Sequence, residues 1–210
     1  MSTHAAPLLD AGSADTGLGN RGPQSKAIIV PYGFWLFILS DIIMFSALFA
    51  SYAALVHAAD GGPTGRDLFD LRNVAIETVA LLVSSFVCGL ALIAAKRRNM
   101  LWTQVWLLAT GLLGFLFLLI ELREFGSMIM AGAGPQRSAF LSAFFALVGC
   151  HGAHITAGLL WIGTLMAQVW AKGFQAHIMR RFLCFTLFWH ALDIVWVAIF
   201  TIVYLMGMAP

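Results

Sequence analysis

FLSAFFALVGCHGAHITAG, Phe140–Gly158, is the stretch on which the fold of this chain turns. It lies in a longer run, Ser138–Ala171, that holds no Lys, Arg, Asp or Glu. A helix crosses the hydrocarbon of a bilayer with about 20 apolar residues. This run exceeds that length, so its helix is tilted or continues beyond the bilayer. Within it His151 and His154 stand three residues apart, on one helical face and one turn from each other. The closing run, FWHALDIVWVAIFTIVYLMG, Phe188–Gly207, carries a second pair at the same spacing, His190 and Asp193. Titratable groups in apolar sequence of this length are costly, and each pair calls for a physical account.

Outward from these two runs the chain keeps the same character. Its 210 residues are 60% hydrophobic and 10% charged, with mean hydropathy +0.88. Soluble domains are roughly 45–50% apolar and about 25% charged, so a water-facing surface is not available to this composition. The chain reads as a polytopic membrane protein forming one all-α bundle. A net charge of +2 offers no footprint for nucleic acid. Cys88, Cys150 and Cys184 lie in or beside apolar runs without metal-ligand spacing, and read as reduced packing residues.

Five helices are expected, at about 31–56, 74–96, 100–121, 138–171 and 181–207, forming one membrane domain over 28–210. Residues 1–27, rich in Gly, Ala, Ser and Asp, read as a disordered or surface tail. Pro31 is expected to open the first helix, with no proline inside any of them. Lys96, Arg97 and Arg98 close a short hairpin between the second and third helices. Glu121–Arg137, polar and Gly-rich, reads as a loop on the opposite side. Eight Lys and Arg flank one set of helix ends (Arg21, Lys26, Lys96, Arg97, Arg98, Lys172, Arg180, Arg181), against four on the other (Arg66, Arg72, Arg123, Arg137). That bias places the N-terminus in the cytoplasm and the C-terminus outside.

The polar groups admit a sharp and a bland reading. Three intramembrane histidines invite a haem-bearing anchor. Helical rise opposes it: His190 lies roughly 13 Å from Arg181 and His154 roughly 27 Å from Lys172, whereas one bis-histidine haem needs nearly equal depths. His151 and His154 share a helix and cannot take opposite haem faces. The bland reading is of buried, hydrogen-bonded histidines, with His190 and Asp193 fastening one helix to another. Asp41, roughly 15 Å into its helix from Pro31, is protonated, paired with another helix, or in contact with a lipid headgroup or water. Glu77, about 8 Å beyond Arg72, reaches the interface or a neighbouring helix. Asp41, Glu77 and Asp193 together also allow a small proton-coupled carrier. Gly149, Gly152 and Gly158 read as close-packing positions. The chain carries no phosphate loop, nucleophile constellation or zinc motif.

Taken together and in order, four segments resemble subunit III of the haem-copper terminal oxidases. They are GFWLFILSDIIMFSALFASY, GGPTGRDLF, SAFFALVGCHGAHITAG and FWHALDIVWVAIFTIVYLMG. The likeness covers nearly everything after about Gly33. The first segment resembles the family's carboxylate-bearing helix, and the second the loop of its bo-type quinol oxidase branch. The last two resemble its G-x-HG-x-H and WH-x-x-D-x-VW helices. Five helices rather than seven are similar to the bo-type ubiquinol oxidase subunit; a menaquinol oxidase or cytochrome c oxidase subunit III is the alternative. The resemblance implies an accessory, non-catalytic subunit in a bacterial inner membrane, with no catalytic, cofactor or metal residue of its own. It implies a partner subunit I, with subunits II and IV; haem b, haem o, copper and ubiquinone belong to those partners. The assembled complex would oxidise ubiquinol, reduce oxygen and pump protons. Phospholipid bound in the helical cleft is implied as well, with Asp41 at the family's intramembrane carboxylate, which is typically Glu. The lipid- or proton-related candidates are therefore Asp41, Glu77, His151, His154, His190 and Asp193.

Overall fold

Local signals in the chain set most helix ends. The computed structural model describes residues 26–56, 58 and 71–205. Among these, α1 spans Lys26–Leu55, α2 Leu71–Lys96, α3 Met100–Met130 and α4 Ala139–Lys172. The last helix, α5, runs Ala176–Ile199 and continues as a π-helical segment, Phe200–Leu205. All five are long and apolar enough to cross a membrane, and no strand occurs among the described residues. All but the last two residues of the expected N-terminal tail lie outside the described residues, as does the Asp60–Asp70 part of the first connection.

At the tight α2–α3 turn Arg98 adopts φ 54°, a left-handed conformation that closes the hairpin. Asn99 then caps α3, its Oδ1 accepting the Trp102 backbone N–H at 3.3 Å. Ser138 caps α4 in the same way, its Oγ accepting from the Leu141 N–H at 3.2 Å. Gly173, at φ 68°, ends α4.

Two boundaries differ from the sequence reading. Lys26–Val30 is already helical, so Pro31 lies inside α1. A proline this close to a helix start forfeits one bond to the residue four earlier, which few residues of preceding helix make tolerable. The larger difference is at α3, which runs through Glu121–Met130, where a loop was expected. Phe125 and Met128 pack against the core from this extension. Its true end is a Schellman motif: Ala133 N–H bonds the Met128 carbonyl at 2.9 Å and Gly132 N–H the Ile129 carbonyl at 3.1 Å. Gly132 takes φ 78°, which only glycine adopts freely.

α2 packs most extensively on α3, and α5 touches α1, α2 and α4. α1 is the outlier: it leans on α4 and α5, and only 11% of its membrane-crossing stretch is buried within the chain. Membrane helices gain no hydrophobic driving force from one another, so small residues and hydrogen bonds must join them. Trp189 of α5 sits against Gly114 of α3 and Gly158 of α4, where an added Cβ would stand 2.8 and 2.7 Å from its ring. Its indole N–H donates to Ser84 Oγ on α2 at 3.0 Å, and Ser84 donates to the Thr110 carbonyl on α3 at 3.1 Å. Two helical turns further along, Trp196 donates to Thr78 Oγ1 on α2 at 3.1 Å.

Candidate functional site

The polar groups fall into three places. The first is the contact of α2 with α5. His190 Nδ1 lies 3.3 Å from Ser85 Oγ, and Ser85 also hydrogen-bonds the Asp193 side chain. The i, i+3 spacing of His190 and Asp193 therefore lets one hydroxyl on a neighbouring helix serve both. Asp193 Oδ1 has no hydrogen-bond partner among the described residues.

The second place is the contact of α4 with α1, α3 and α5. His154 does not join helices by a hydrogen bond; its Nδ1 lies 2.7 Å from the Cys150 carbonyl of its own helix. Its ring faces Phe45 at 5.3 Å and Phe188 at 6.4 Å. His151 is fully buried among rings, with Trp196 at 5.2 Å, Phe117 at 5.7 Å and Phe45 at 6.3 Å. Neither of its nitrogens has a hydrogen-bond partner among the described residues. The expectation of hydrogen-bonded histidines thus describes His190 and, within its own helix, His154, but not His151, because aromatic side chains rather than polar ones surround it. Among the described residues the three imidazoles form no shared cluster of metal-ligating atoms.

Beside this contact α1 and α5 line an apolar cleft of about 510 Å³. Trp35, Ile42 and Phe49 line it from α1, and His190, Ile194 and Ala198 from α5. Asp41 lies in a smaller crevice next to it, with Phe45, Phe188 and Leu192. It is partly exposed and within electrostatic reach of Cys150.

The third place was missed in the sequence except for one member. Glu77 of α2 does not reach outward: it is 0% exposed. One carboxylate oxygen from each of Glu77, Glu121 and Glu124 lies within 4.8 Å of the others. Glu121 and Glu124, in ELREF, share a face only because α3 continues through them. The E-x-x-E spacing was the available signal, and reading the segment as a loop concealed it.

The model of the family described as cytochrome c oxidase subunit III matches residues 15–208. The chain belongs to that family. Among its relatives, the cytochrome bo(3) ubiquinol oxidase subunit 3 of Pseudomonas aeruginosa is 51% identical, covering 84% of each chain. The protein of the same name from Pseudomonas putida is 47% identical over 83% of this chain and 84% of its own. The cytochrome c oxidase subunit 3 of Bacillus sp. (strain PS3) is 43% identical over 84% of this chain and 85% of its own. For a subunit III, five membrane-length helices and helix-joining polar groups describe a scaffold, and the expected all-α bundle is what the chain forms.

Proposed function

We propose that this chain is the accessory, non-catalytic subunit III of a bo-type ubiquinol oxidase, a proton-pumping terminal oxidase of aerobic respiration. The carrying observation is the 51% identity over 84% of the chain to a protein named as that subunit. Subunit I, with the haems and copper, is its principal partner, and subunits II and IV complete the complex. The chain is placed in a bacterial inner membrane, where the Lys and Arg bias supports a cytoplasmic N-terminus. The cleft between α1 and α5 has the apolar lining that suits phospholipid acyl chains. Asp41 beside it has a carboxylate near the lipid path, fit for a headgroup contact or for passing protons toward subunit I. The polar cluster of Ser85, His190 and Asp193 and the rings around His151 hold the helices that frame this cleft.

The test is copurification in gentle detergent. The tagged chain should bring down a haem-copper subunit I and ubiquinol-dependent oxygen uptake; recovery without any haem protein would defeat the reading. A cytochrome c oxidase is the second reading, favoured by the 43% identity to the Bacillus subunit. It predicts that the copurified complex oxidises reduced cytochrome c instead of ubiquinol. A proton role for Asp41 predicts that Asp41→Asn loses sustained proton pumping while assembly and haem content hold. Unchanged durability of turnover would assign Asp41 to packing or lipid contact alone.

A further inference from the structure

Glu77, Glu121 and Glu124 are not used by the scaffold described above, and their arrangement is unusual for membrane depth. Glu77 enters from α2 and the other two from α3, so packing of two helices is what brings them together. Glu77 is 0% exposed and Glu121 2% exposed. No hydrogen-bond donor among the described residues reaches any of the four side-chain oxygens of those two residues. The burial of Glu77 and Glu121 side by side is therefore not accounted for by hydrogen bonds. The Tyr204 phenol, from the π-helical end of α5, lies within electrostatic reach of all three carboxylates. Buried like charges repel and are costly to desolvate, and a positive ion between them removes both penalties.

We propose that Glu77, Glu121 and Glu124 form a binding site for a hard divalent cation, of the calcium or magnesium class, clamping α2 to α3. The donor set is all oxygen, with no imidazole or thiol, which selects hard ions over zinc or copper. Oxygens within 4.8 Å of one another are compatible with one shared ion, since calcium takes ligands at about 2.3–2.6 Å and magnesium at about 2.0–2.1 Å. Glu77 is near the start of α2 and Glu121 and Glu124 near the end of α3. Those ends lie on the outer side if the N-terminus is cytoplasmic, which gives the ion a short path from the periplasm.

The test uses the oxidase complex that the chain copurifies with, whichever electron donor that complex takes. The complex is stripped with a chelator and titrated with manganese as the paramagnetic probe and with calcium as competitor. Bound manganese is read by electron paramagnetic resonance against haem content. The wild type should bind one calcium-displaceable manganese per complex that Glu121→Gln and Glu77→Gln bind at least about tenfold more weakly, a difference of about 1.4 kcal/mol. Equal binding in wild type and both variants, or no calcium-displaceable binding in the wild type, would overturn the site. Infrared difference spectra of the wild type, with and without calcium, decide the matter independently of variant assembly. A calcium-dependent carboxylate band supports the ion. Protonated carboxyl bands that calcium leaves unchanged, absent from Glu121→Gln, mean the cluster is held by shared protons instead.

Discussion

At Trp189 four helices meet through one side chain. The ring needs the missing side chains of Gly114 and Gly158, and its N–H needs Ser84. Gly158→Ala should destabilise the subunit by about 1–3 kcal/mol, because the ring contacted at 2.7 Å belongs to a buried Trp with nowhere to move. Gly163→Ala, with nothing within 4 Å of the added methyl, should be neutral or slightly stabilising. The comparison is read as the temperature or denaturant concentration at which subunit III leaves the complex. Ser84→Ala should cost about 1 kcal/mol, between the average for interhelical bonds in membranes and the penalty for an orphaned buried donor. The glycines could be named as close-packing positions from the chain alone. Which indole they admit could not, since Trp189 lies far from both in sequence.

At the scale of elements, α2 and α5 are joined by a ladder of polar contacts. Thr78 takes Trp196, Ser84 takes Trp189, and Ser85 takes His190 and Asp193. Trp189 and Trp196 stand seven residues apart, about two helical turns, while Ser84–Trp189 and Ser85–His190 are neighbouring contacts at one level of the seam. Ser85→Ala and His190→Phe should therefore couple rather than add. A double-mutant cycle on subunit retention should give an interaction energy of about 0.5–2 kcal/mol; strict additivity would show that the 3.3 Å contact carries no energy. His190 and Asp193 were legible as a pair because their spacing places them on one face. The hydroxyls that receive them were not, because Ser and Thr in an apolar helix carry no distinguishing pattern. α3 shows the opposite failure. Charges in ELREF made the segment look like a loop, whereas burial of Met128 and the Gly132 stop signal keep it helical to Met130.

Across the whole molecule, α1 and α5 line the cleft together, and the far end of α1 is tied to the last helix by Tyr52. Its hydroxyl donates to the Val203 carbonyl at 3.3 Å, inside the π-helical segment. Filling the cleft with Ala198→Phe should reduce the phospholipid that copurifies per haem while leaving assembly intact; lipid counted by mass spectrometry would check this, and unchanged lipid content would place it elsewhere. The membrane class and the five spans were legible in composition and in the placement of charge between apolar runs. These are properties of each segment against its solvent, and no neighbour is needed to read them. The family, too, was legible, in motifs that run along single helices. What the tertiary structure alone decided was the company each polar group keeps. It sealed His151 among rings, returned His154 to its own helix and drew Glu77 into a cluster with Glu121 and Glu124. The reason is physical: helical spacing sets which face a side chain occupies, but only packing sets what stands opposite it.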